Sequence, residues 1–433
     1  SINSFKIYEH YIRIGRVLIR GFVGENVSIW FEGYGCTANQ GETLEMREHA
    51  NQLGHELATD SATAETVVLG TCTVIESTQN RMEKRISELM DQGKNVIVSG
   101  CMATADTKVL NSKFPNAPLV SPGDVEGLGD LIGRGGCKPE TLESSFAAIL
   151  PISSGCLGRC TYCATLKARG RVKSRSVNDI FFKAQYAIDS GSKELLLTSQ
   201  DNGAFGADSD SSLELLLNEL SHLEGEFRLR VGMLNPMLVA GRSKEMAEAW
   251  RDPRTYKFMH LPIQSGSQKI LDSMTRDHTL EEFWEVVEVF RENYPEMMII
   301  TDIITGFPGE TDEDHQETVK LLNQLSPDLV NVTRFSPRKG TPAARYKRVD
   351  GRIIKKRSRE LTHLRKELGA KSFKRFIGRQ TSILTVENQR KGSTLCRDDN
   401  YRPIILKKEL PLGEFYNVKI IDSEYGFMTA VLV

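Results

Sequence analysis

Short apolar runs alternate with longer amphipathic stretches from residue 26 onward. The runs are rich in β-branched side chains and predict buried strands at residues 27–31, 66–69 and 95–98. Helical periodicity follows each run and predicts helices near residues 42–57, 77–91 and 106–114. Strands that alternate with helices pair in parallel, so the pattern predicts an amino-terminal parallel α/β domain over residues 26–136. Residues 1–25 are interpreted as an extension.

The same alternation resumes after a linker near residues 134–143 that contains Gly and Pro. Strands are predicted at residues 147–152, 194–198, 227–234, 257–263, 298–306 and 328–335. Six parallel strands in this length predict an incomplete (β/α)6 barrel over residues 145–350. The active face of such a barrel lies at the carboxyl ends of its strands.

The last part of the chain has a different pattern. Residues 351–376 combine one apolar stripe with many basic side chains, which predicts a basic helical connector. Short apolar runs separated by polar turns follow at residues 381–386, 401–406, 416–421 and 429–433. They predict a small carboxy-terminal antiparallel β-barrel over residues 377–433. The fold class is therefore α/β, with this barrel added at its end.

The composition is that of an ordinary globular chain. Its 433 residues are 39% hydrophobic and 26% charged, and a net charge of -1 provides no global field that would attract a nucleic acid. No apolar run reaches the length of about 18 residues that a membrane span needs, so no membrane partner is expected. Eight cysteines in short loops suit metal ligation in a reducing compartment, and we expect a cytoplasmic protein.

One loop carries the strongest chemical signal. The stretch Gly155-Cys-Leu-Gly-Arg-Cys-Thr-Tyr-Cys163 places Cys156, Cys160 and Cys163 in a CxxxCxxC spacing. Three thiolates this close can ligate one iron–sulfur cube. Because a cube normally takes four cysteines, one iron would stay open for a small molecule. The alternatives are chance clustering or a zinc site, although a zinc site would be expected to combine one CxxC pair with a second such pair.

Three further cysteines occupy equivalent positions in the first domain. Cys36, Cys72 and Cys101 each come just after a predicted strand. The carboxyl ends of parallel strands converge on one crevice, so these thiols are expected to meet around a single cluster. Buried structural thiols are the alternative. Cys137 and Cys396 have no such setting and are interpreted as structural or incidental.

The loop at residues 155–163 resembles that of the radical S-adenosylmethionine enzymes. The resemblance implies that the open iron of a [4Fe–4S] cluster binds S-adenosylmethionine, whose cleavage yields a 5′-deoxyadenosyl radical. The earlier cysteines lie in Gly33-Tyr-Gly-Cys-Thr-Ala-Asn39, Gly70-Thr-Cys-Thr-Val74 and Ser99-Gly-Cys-Met-Ala103. These segments resemble the amino-terminal domain of the methylthiotransferase family. This resemblance implies that Cys36, Cys72 and Cys101 hold a second, auxiliary [4Fe–4S] cluster.

Polar segments follow several strands of the predicted barrel. A turn with a helix N-cap explains each segment alone, but together they fit contacts to one bound ligand. Gln200 and Gln264 offer amide donors and acceptors for S-adenosylmethionine. The guanidinium of Arg175 can pair with the carboxylate of S-adenosylmethionine, and the ring of Tyr162 can cover its adenine. The resemblance adds to this cofactor-binding set Ser265, Gly306, Glu310, Arg334 and Phe335. No catalytic residue is identified beyond the cluster ligands.

The connector after the barrel is the candidate RNA contact. Residues 351–380 contain eleven Lys or Arg and two Glu. A solvated helix face is the usual explanation of such a run, but an excess of positive charge in a slightly acidic chain favours a polyanion. The candidate RNA-binding residues are Lys355, Lys356, Arg357 and Arg359. The position of the small barrel resembles that of the TRAM RNA-binding domain.

These resemblances imply a tRNA methylthiotransferase that places a methylthio group on carbon 2 of an adenine base. Residues 197–206 and 230–236 most resemble the archaeal and animal branch, which acts on threonylcarbamoyladenosine beside the anticodon. Asn202 and Phe205 stand where that branch is expected to have Thr and Tyr. The alternatives are a family member acting on isopentenyladenosine or on a ribosomal-protein aspartate, and a non-catalytic iron–sulfur RNA-binding protein. The implied partners are tRNA, a low-potential electron donor and a sulfur source.

Overall fold

A computed structural model describes residues 11–14, 17–20, 28–73, 76–139, 146–389 and 392–433. The chain forms two compact units. The first comprises the chain up to residue 143 together with residues 164–171, and the second comprises residues 144–163 and 172–433. No described helix is long and apolar enough to cross a membrane.

The first unit is built on a parallel sheet of five strands. Their order across the sheet is Glu56–Leu57, Ser28–Gly33, Thr66–Thr71, Asn95–Gly100 and Leu119–Val120. Its helices are Thr37–Gln52, Glu76–Asp91, Cys101–Ala105, Thr107–Lys113, Val125–Ile132 and Thr165–Arg169. Apolar side chains pack on both faces of this sheet, which is why the strand Thr66–Thr71 is buried along its whole length. The prediction of a parallel α/β domain is confirmed.

Some boundaries in the first unit differ from the prediction. The helix expected at residues 42–57 runs from Thr37 to Gln52. It ends there because Gly54 takes a φ of +87° and turns the chain into the edge strand Glu56–Leu57. Within the proposed extension, Tyr11–Ile14 pairs with Val17–Arg20 in an antiparallel ladder. The remainder of the extension, Val27 of the first predicted strand and residues 140–143 of the proposed linker lie outside the described residues.

The second unit contains six parallel strands in two sheets of three. The strands are Ala147–Pro151, Glu194–Thr198, Arg228–Arg230, Phe258–His260, Met298–Thr305 and Leu329–Arg334. Parallel contact between Leu229 and Thr255 joins the two sheets, and Leu234 N donates to His260 O at 2.9 Å. All six predicted strands are present, and the incomplete barrel is confirmed.

Helices cover the outer face of these strands. The longer ones are Val177–Asp189, Leu213–Leu220, Ser243–Ala249, Leu280–Asn293 and Asp312–Leu325. Shorter helical elements are Asn202–Ala204, Pro236–Val239, Gln268–Ser273 and Pro342–Arg345. A short antiparallel pair joins Ser153–Ser154 to Lys173–Ser174. Alternate strand residues such as Ile299 and Ile303 pack against the helices in one large core, so their neighbours Ile300 and Asp302 point to the opposite side, into the barrel.

The carboxy-terminal part begins with the 24-residue helix Gly351–Lys374. Five strands then close a barrel: Gln380–Gln389, Ser393–Asp398, Pro403–Leu406, Phe415–Glu424 and Phe427–Leu432. The prediction of a small β-barrel is confirmed, with one difference in its pairing. The strands Pro403–Leu406 and Phe427–Leu432 pair in parallel, whereas the other four pairs are antiparallel.

The small barrel shares a core with the six-stranded barrel. Tyr256, Phe258 and Met298 pack with side chains from the small barrel and from the end of the long helix, among them Phe373, Phe376, Ile404 and Met428. The ring centroid of Tyr401 lies 4.9 Å from those of both Tyr256 and Phe258. Burial of this much apolar surface makes the two barrels one packed body.

Candidate active site

The loop at residues 155–163 brings the sulfurs of Cys156 and Cys160 close to Gly158. Gly158 N donates to Cys156 Sγ at 3.2 Å. A Cβ atom added at Gly158 would lie 3.5 Å from Cys156 Sγ and 3.7 Å from Cys160 Sγ. Gly155 has a φ of +90°, which a residue with a side chain rarely adopts. The two glycines therefore allow the tight path that draws the thiols together.

Contacts from distant parts of the second unit fix this loop. Thr161 N donates to Met274 O at 2.9 Å, and its hydroxyl donates to Ser273 O at 3.0 Å. Ala343 N donates to Thr161 O at 2.9 Å. Gly155 N donates to Gln200 Oε1 at 2.8 Å. The loop is thus held from both ends at the carboxyl side of the barrel strands.

The electrostatics of the loop favour a bound cation. Burial raises the pKa of the Cys156 thiol to about 11, a hydrogen bond from Gly158 opposes the rise, and Asp201, Cys163 and Cys160 add to it. Burial also raises the pKa of Cys160, against the charge of Arg276. Thiols that disfavour one another's ionised forms are stabilised as thiolates when metal cations lie between them.

The predicted cofactor residues occupy the same end of the barrel. Gln200 Nε2 is buried and has no hydrogen-bond partner among the described residues. Gln264 has a φ of 73°, and its backbone donates to Asp302 O at 2.8 Å and accepts from Ile304 N at 3.0 Å. Ser265 is buried, and its hydroxyl accepts from Ser267 N at 3.2 Å. An orphaned amide donor beside the cluster loop fits a polar ligand there.

Two of the predicted residues meet at an aromatic cluster. The ring centroid of Phe307 lies 6.3 Å from that of Tyr162 and 5.3 Å from that of Phe335. The same apolar cluster includes Ile270, Met274, Ile304 and Ala343. Phe335 N also donates to Thr305 O at 2.9 Å. The patch lies next to the cysteine loop, since Tyr162 belongs to that loop.

The other predicted residues are placed differently. Gly306 has a φ of +76°, and Glu310 is buried and accepts from Gly306 N at 2.9 Å. Arg334 is exposed. Arg175 N donates to Ile152 O at 2.9 Å. Glu310 thus holds its own turn together, and a cofactor contact by it stays a prediction, as it does for Gly306, Arg334 and Arg175.

Sequence reasoning did not single out two charged groups beside the loop. Burial raises the pKa of Asp201 to about 6, against hydrogen bonds from Asn235 N and Gly203 N, both at 3.1 Å. Arg276 is buried, donates to Pro262 O at 2.6 Å and lies close enough to Cys160 and Asp201 to affect both pKa values. Asp201 lies within residues 197–206, which carry the resemblance to the archaeal and animal branch. Arg276 follows a short helix and carried no pattern that could have marked it.

A row of polar side chains on adjacent strands was also missed. His260 Nε2 lies 3.1 Å from both carboxylate oxygens of Asp302, and Asn331 Nδ2 donates to Asp302 Oδ1 at 2.7 Å. Burial alone would raise the pKa of Asp302, but His260 and Asn331 hold it below its usual value. Each of these residues is surrounded in sequence by apolar strand residues, so the sequence pattern does not mark them. The register of the paired strands brings them together.

The first unit gathers the other three cysteines. Cys36, Cys72 and Cys101 follow the strands Ser28–Gly33, Thr66–Thr71 and Asn95–Gly100. Burial raises the pKa of Cys101 to about 11, Arg169 opposes the rise, and Cys36 and Cys72 add to it. A Cβ atom at Gly35 would lie 3.2 Å from Cys72 Sγ, so a side chain at this position would crowd that sulfur. The three thiols are therefore neighbours, as the strand pattern predicted.

Each thiol triplet suits an iron–sulfur cube. In the described part of the chain, no group of three or more His, Cys, Asp or Glu side chains is arranged to hold a metal ion. A cube differs from a single ion because each cysteine binds its own iron. The raised pKa values of Cys101, Cys156 and Cys160 and the glycines beside the sulfurs fit such a group in both units. Cys137 and Cys396 belong to neither triplet, and Cys396 is buried in the small barrel.

The structure corrects one RNA-binding residue. Lys355, Lys356 and Arg359 are exposed on the helix Gly351–Lys374. Arg357 is buried, and its guanidinium donates to Glu310 Oε2 at 2.7 Å and to Asp312 Oδ1 at 2.8 Å. Because both ends of its fork are occupied by carboxylates, Arg357 does not present its charge to a phosphate, and its assignment as an RNA contact is wrong.

Comparisons with known proteins agree with this geometry. The model of the radical SAM superfamily matches residues 150–322, and that described as uncharacterized protein family UPF0004 matches residues 28–121. The solved structure of the radical S-adenosylmethionine methyltransferase TsrM from Kitasatospora setae has a TM-score of 0.55 and 14% identity, covering 74% of this chain and 77% of its own. That similarity concerns the fold. Fold and loop together define a radical S-adenosylmethionine enzyme.

Two relatives identify the family more closely. The probable threonylcarbamoyladenosine tRNA methylthiotransferase of Archaeoglobus fulgidus is 38% identical over 420 residues, covering 93% of this chain and 97% of that protein. The human threonylcarbamoyladenosine tRNA methylthiotransferase is 29% identical over 427 residues, covering 92% of this chain and 73% of that protein. The chain belongs to the threonylcarbamoyladenosine tRNA methylthiotransferase family. Its cofactors are [4Fe–4S] clusters and S-adenosylmethionine.

The two departures from the expected branch pattern lie inside the fold. Asn202 is fully buried, and its Nδ2 donates to Met233 O at 3.2 Å. Phe205 is buried in the core of the second unit. Both side chains pack against the second unit's own residues.

Proposed function

We propose that this protein places a methylthio group on carbon 2 of threonylcarbamoyladenosine in tRNA, and that its two thiol triplets hold separate clusters. The observation that carries the proposal is the presence of one triplet in each compact unit, each at the carboxyl ends of parallel strands. One triplet would suffice for an enzyme that only cleaves S-adenosylmethionine. A second triplet supports a second chemical task, the delivery of sulfur.

In this proposal Cys156, Cys160 and Cys163 hold the radical cluster, which when bound supplies the electron that splits S-adenosylmethionine. Gln200 orients the loop through Gly155 and keeps its amide donor for the cofactor. Arg276 offsets negative charge at Cys160. The patch of Tyr162, Phe307 and Phe335 excludes water from the apolar side of the site, which protects a reactive radical from side reactions.

In the first unit, Cys36, Cys72 and Cys101 hold the auxiliary cluster. The exposed Lys355, Lys356 and Arg359 give the tRNA a basic surface, and the small barrel has the position of a TRAM domain. The reaction also consumes an electron and a sulfur atom. We therefore propose a low-potential electron donor and a sulfur source as partners, in the cytoplasm where tRNA is modified.

A comparison of three substrates tests the proposal. Anaerobically reconstituted protein is incubated with S-adenosylmethionine, a reductant and a sulfur source. The substrates are tRNA with threonylcarbamoyladenosine, tRNA with isopentenyladenosine, and a ribosomal protein with the target aspartate. Mass spectrometry should detect a methylthio group only on the first. Product on either of the others would replace the proposed substrate. Failure of the reduced protein to cleave S-adenosylmethionine would favour a non-catalytic iron–sulfur protein.

A further inference from the structure

Arg169 connects the segment after the radical loop to the thiols of the first unit. It ends the short helix Thr165–Arg169, which begins two residues after Cys163 and belongs to the first compact unit. Its side chain is only 1% exposed. A cation this deeply buried needs partners that occupy its donors.

The guanidinium contacts the auxiliary thiol site and the helix beside it. Nε donates to Cys101 Sγ at 3.2 Å. Nη1 and Nη2 donate to the two carboxylate oxygens of Glu42, and Nη2 also donates to Asn39 Oδ1. Asn39 and Glu42 lie in the first two turns of the helix Thr37–Gln52, whose N-cap is Cys36. One planar fork thus links two of the three cysteine-bearing segments.

The third segment is linked through the same asparagine. Asn39 Nδ2 donates to Thr71 O at 2.8 Å, next to Cys72. The amide of Asn39 therefore bridges the guanidinium and the end of the second strand. A lysine could supply the charge but not this geometry, because its three donors diverge from one nitrogen, whereas a guanidinium spreads its donors over three nitrogens in a rigid plane.

We propose that Arg169 is a positioning residue of the auxiliary cluster, holding the Cys101 sulfur towards Cys36 and Cys72. The proposal rests on the proposed function for the presence of that cluster. A cationic donor at a ligand sulfur stabilises the reduced, more negative cluster, so Arg169 also raises its reduction potential. With its side chain only 1% exposed, Arg169 is not a solvated or phosphate-binding residue.

The first test uses the metal-free, full-length protein and needs no cluster. The rate at which iodoacetamide alkylates Cys101 is measured by mass spectrometry for the wild type, Arg169→Met and Arg169→Lys. Loss of the cationic hydrogen-bond donor disfavours the Cys101 thiolate, which is the form that reacts, so alkylation should slow about tenfold in Arg169→Met. Lys167→Met is the matched control, since Lys167 is exposed on the same short helix and should leave the rate unchanged. An unchanged rate in Arg169→Met would overturn the proposal.

The second test separates charge from geometry. In full-length protein with Cys156, Cys160 and Cys163 changed to Ala, only the auxiliary cluster should remain for an EPR redox titration. Arg169→Met should lower its potential, and Arg169→Lys should restore most of the potential while the alkylation rate of Cys101 recovers only in part. Equal potentials in all three proteins would remove the electrostatic role. If the Ala background binds no iron, the auxiliary cluster itself is absent and the proposed function fails, whereas the alkylation rates still decide whether Arg169 holds Cys101.

Discussion

The guanidinium of Arg357 and the carboxylate of Glu310 form a buried ion pair 2.7 Å long. Gly306 N donates to the same carboxylate oxygen, so the pair joins the basic helix to the loop after the fifth barrel strand. The helix therefore has an inner cation that anchors it and outer cations that face solvent. The two groups should respond differently to substitution.

The outer cations should account for salt-dependent tRNA binding. Each phosphate contact releases condensed counterions, so removing one should flatten the dependence of log affinity on log salt by roughly 0.7 to 0.9. A variant with Lys355, Lys356 and Arg359 changed to Ala is compared with wild type in a salt titration. Lys320→Ala, on the neighbouring helix Asp312–Leu325, is the control. A slope equal to that of the wild type would show that these three side chains are merely exposed to solvent and do not contact phosphates.

The inner cation should matter for stability instead. Arg357→Met leaves the Glu310 carboxylate buried without its partner, which should lower the free energy of unfolding by about 3 kcal/mol. Adding Glu310→Gln should recover part of that loss, because the unpaired charge is then gone. Arg352→Met is the control, since that side chain is 98% exposed. Urea unfolding followed by circular dichroism measures the effect, and equal midpoints for both single variants would contradict it.

The two thiol triplets should bind iron independently. Wild-type protein reconstituted without oxygen should carry about eight irons, as two cubes of four. Changing Cys156, Cys160 and Cys163 to Ala should leave about four, and so should changing Cys36, Cys72 and Cys101. Changing Cys137 and Cys396 to Ala should leave the iron content intact. Full iron content in either triple variant, or stoichiometric zinc, would disprove the assignment of ligands.

The triplets should also differ in the products they support. Without the first-unit cysteines, the radical loop is unchanged, so 5′-deoxyadenosine should still form while no methylthio product appears. Without the loop cysteines, both products should vanish. Chromatography of the reaction mixture measures both compounds. An equal loss of 5′-deoxyadenosine in the two variants would show that the first-unit cysteines serve folding alone.

His278 should make the fold sensitive to acid. Burial, and next the charge of Arg276, lower the pKa of His278 to about 3. The unfolded chain therefore binds this proton more readily, and stability that is fully present above pH 6.5 is lost as the pH falls towards 3. This group should cost about 2 kcal/mol at pH 5 relative to pH 8. Unfolding of metal-free His278→Gln should show a shallower loss than wild type. The exposed His222→Gln should follow wild type, and parallel profiles for His278→Gln would refute the prediction.

The sequence predicted the strands well because their apolar runs are local signals. The contacts of Arg169 and Arg276 were not predictable, since Arg169 meets Glu42 across 127 residues of chain. Arg357 could not be told from its exposed neighbours by sequence. It lies in the same run of basic residues, and only its position on the helix turns its side chain towards the protein interior. The shared core was not predictable either, because it joins strands far apart in the chain. Removing the small barrel from Gly378 onward would therefore test folding as well as RNA binding, since Tyr256, Phe258 and Met298 would be uncovered.

That shared core has a consequence for how the protein is made. The strand Phe427–Leu432 lies between Pro403–Leu406 and Phe415–Glu424, so the small barrel cannot close before this strand has left the ribosome. Tyr256 and Phe258 emerge much earlier and stay uncovered throughout that interval. Exposed aromatic surface on a nascent chain invites aggregation. Synthesis of this enzyme should therefore depend on chaperones more than its ordinary composition suggests, and slow translation of the last strands should lower its yield.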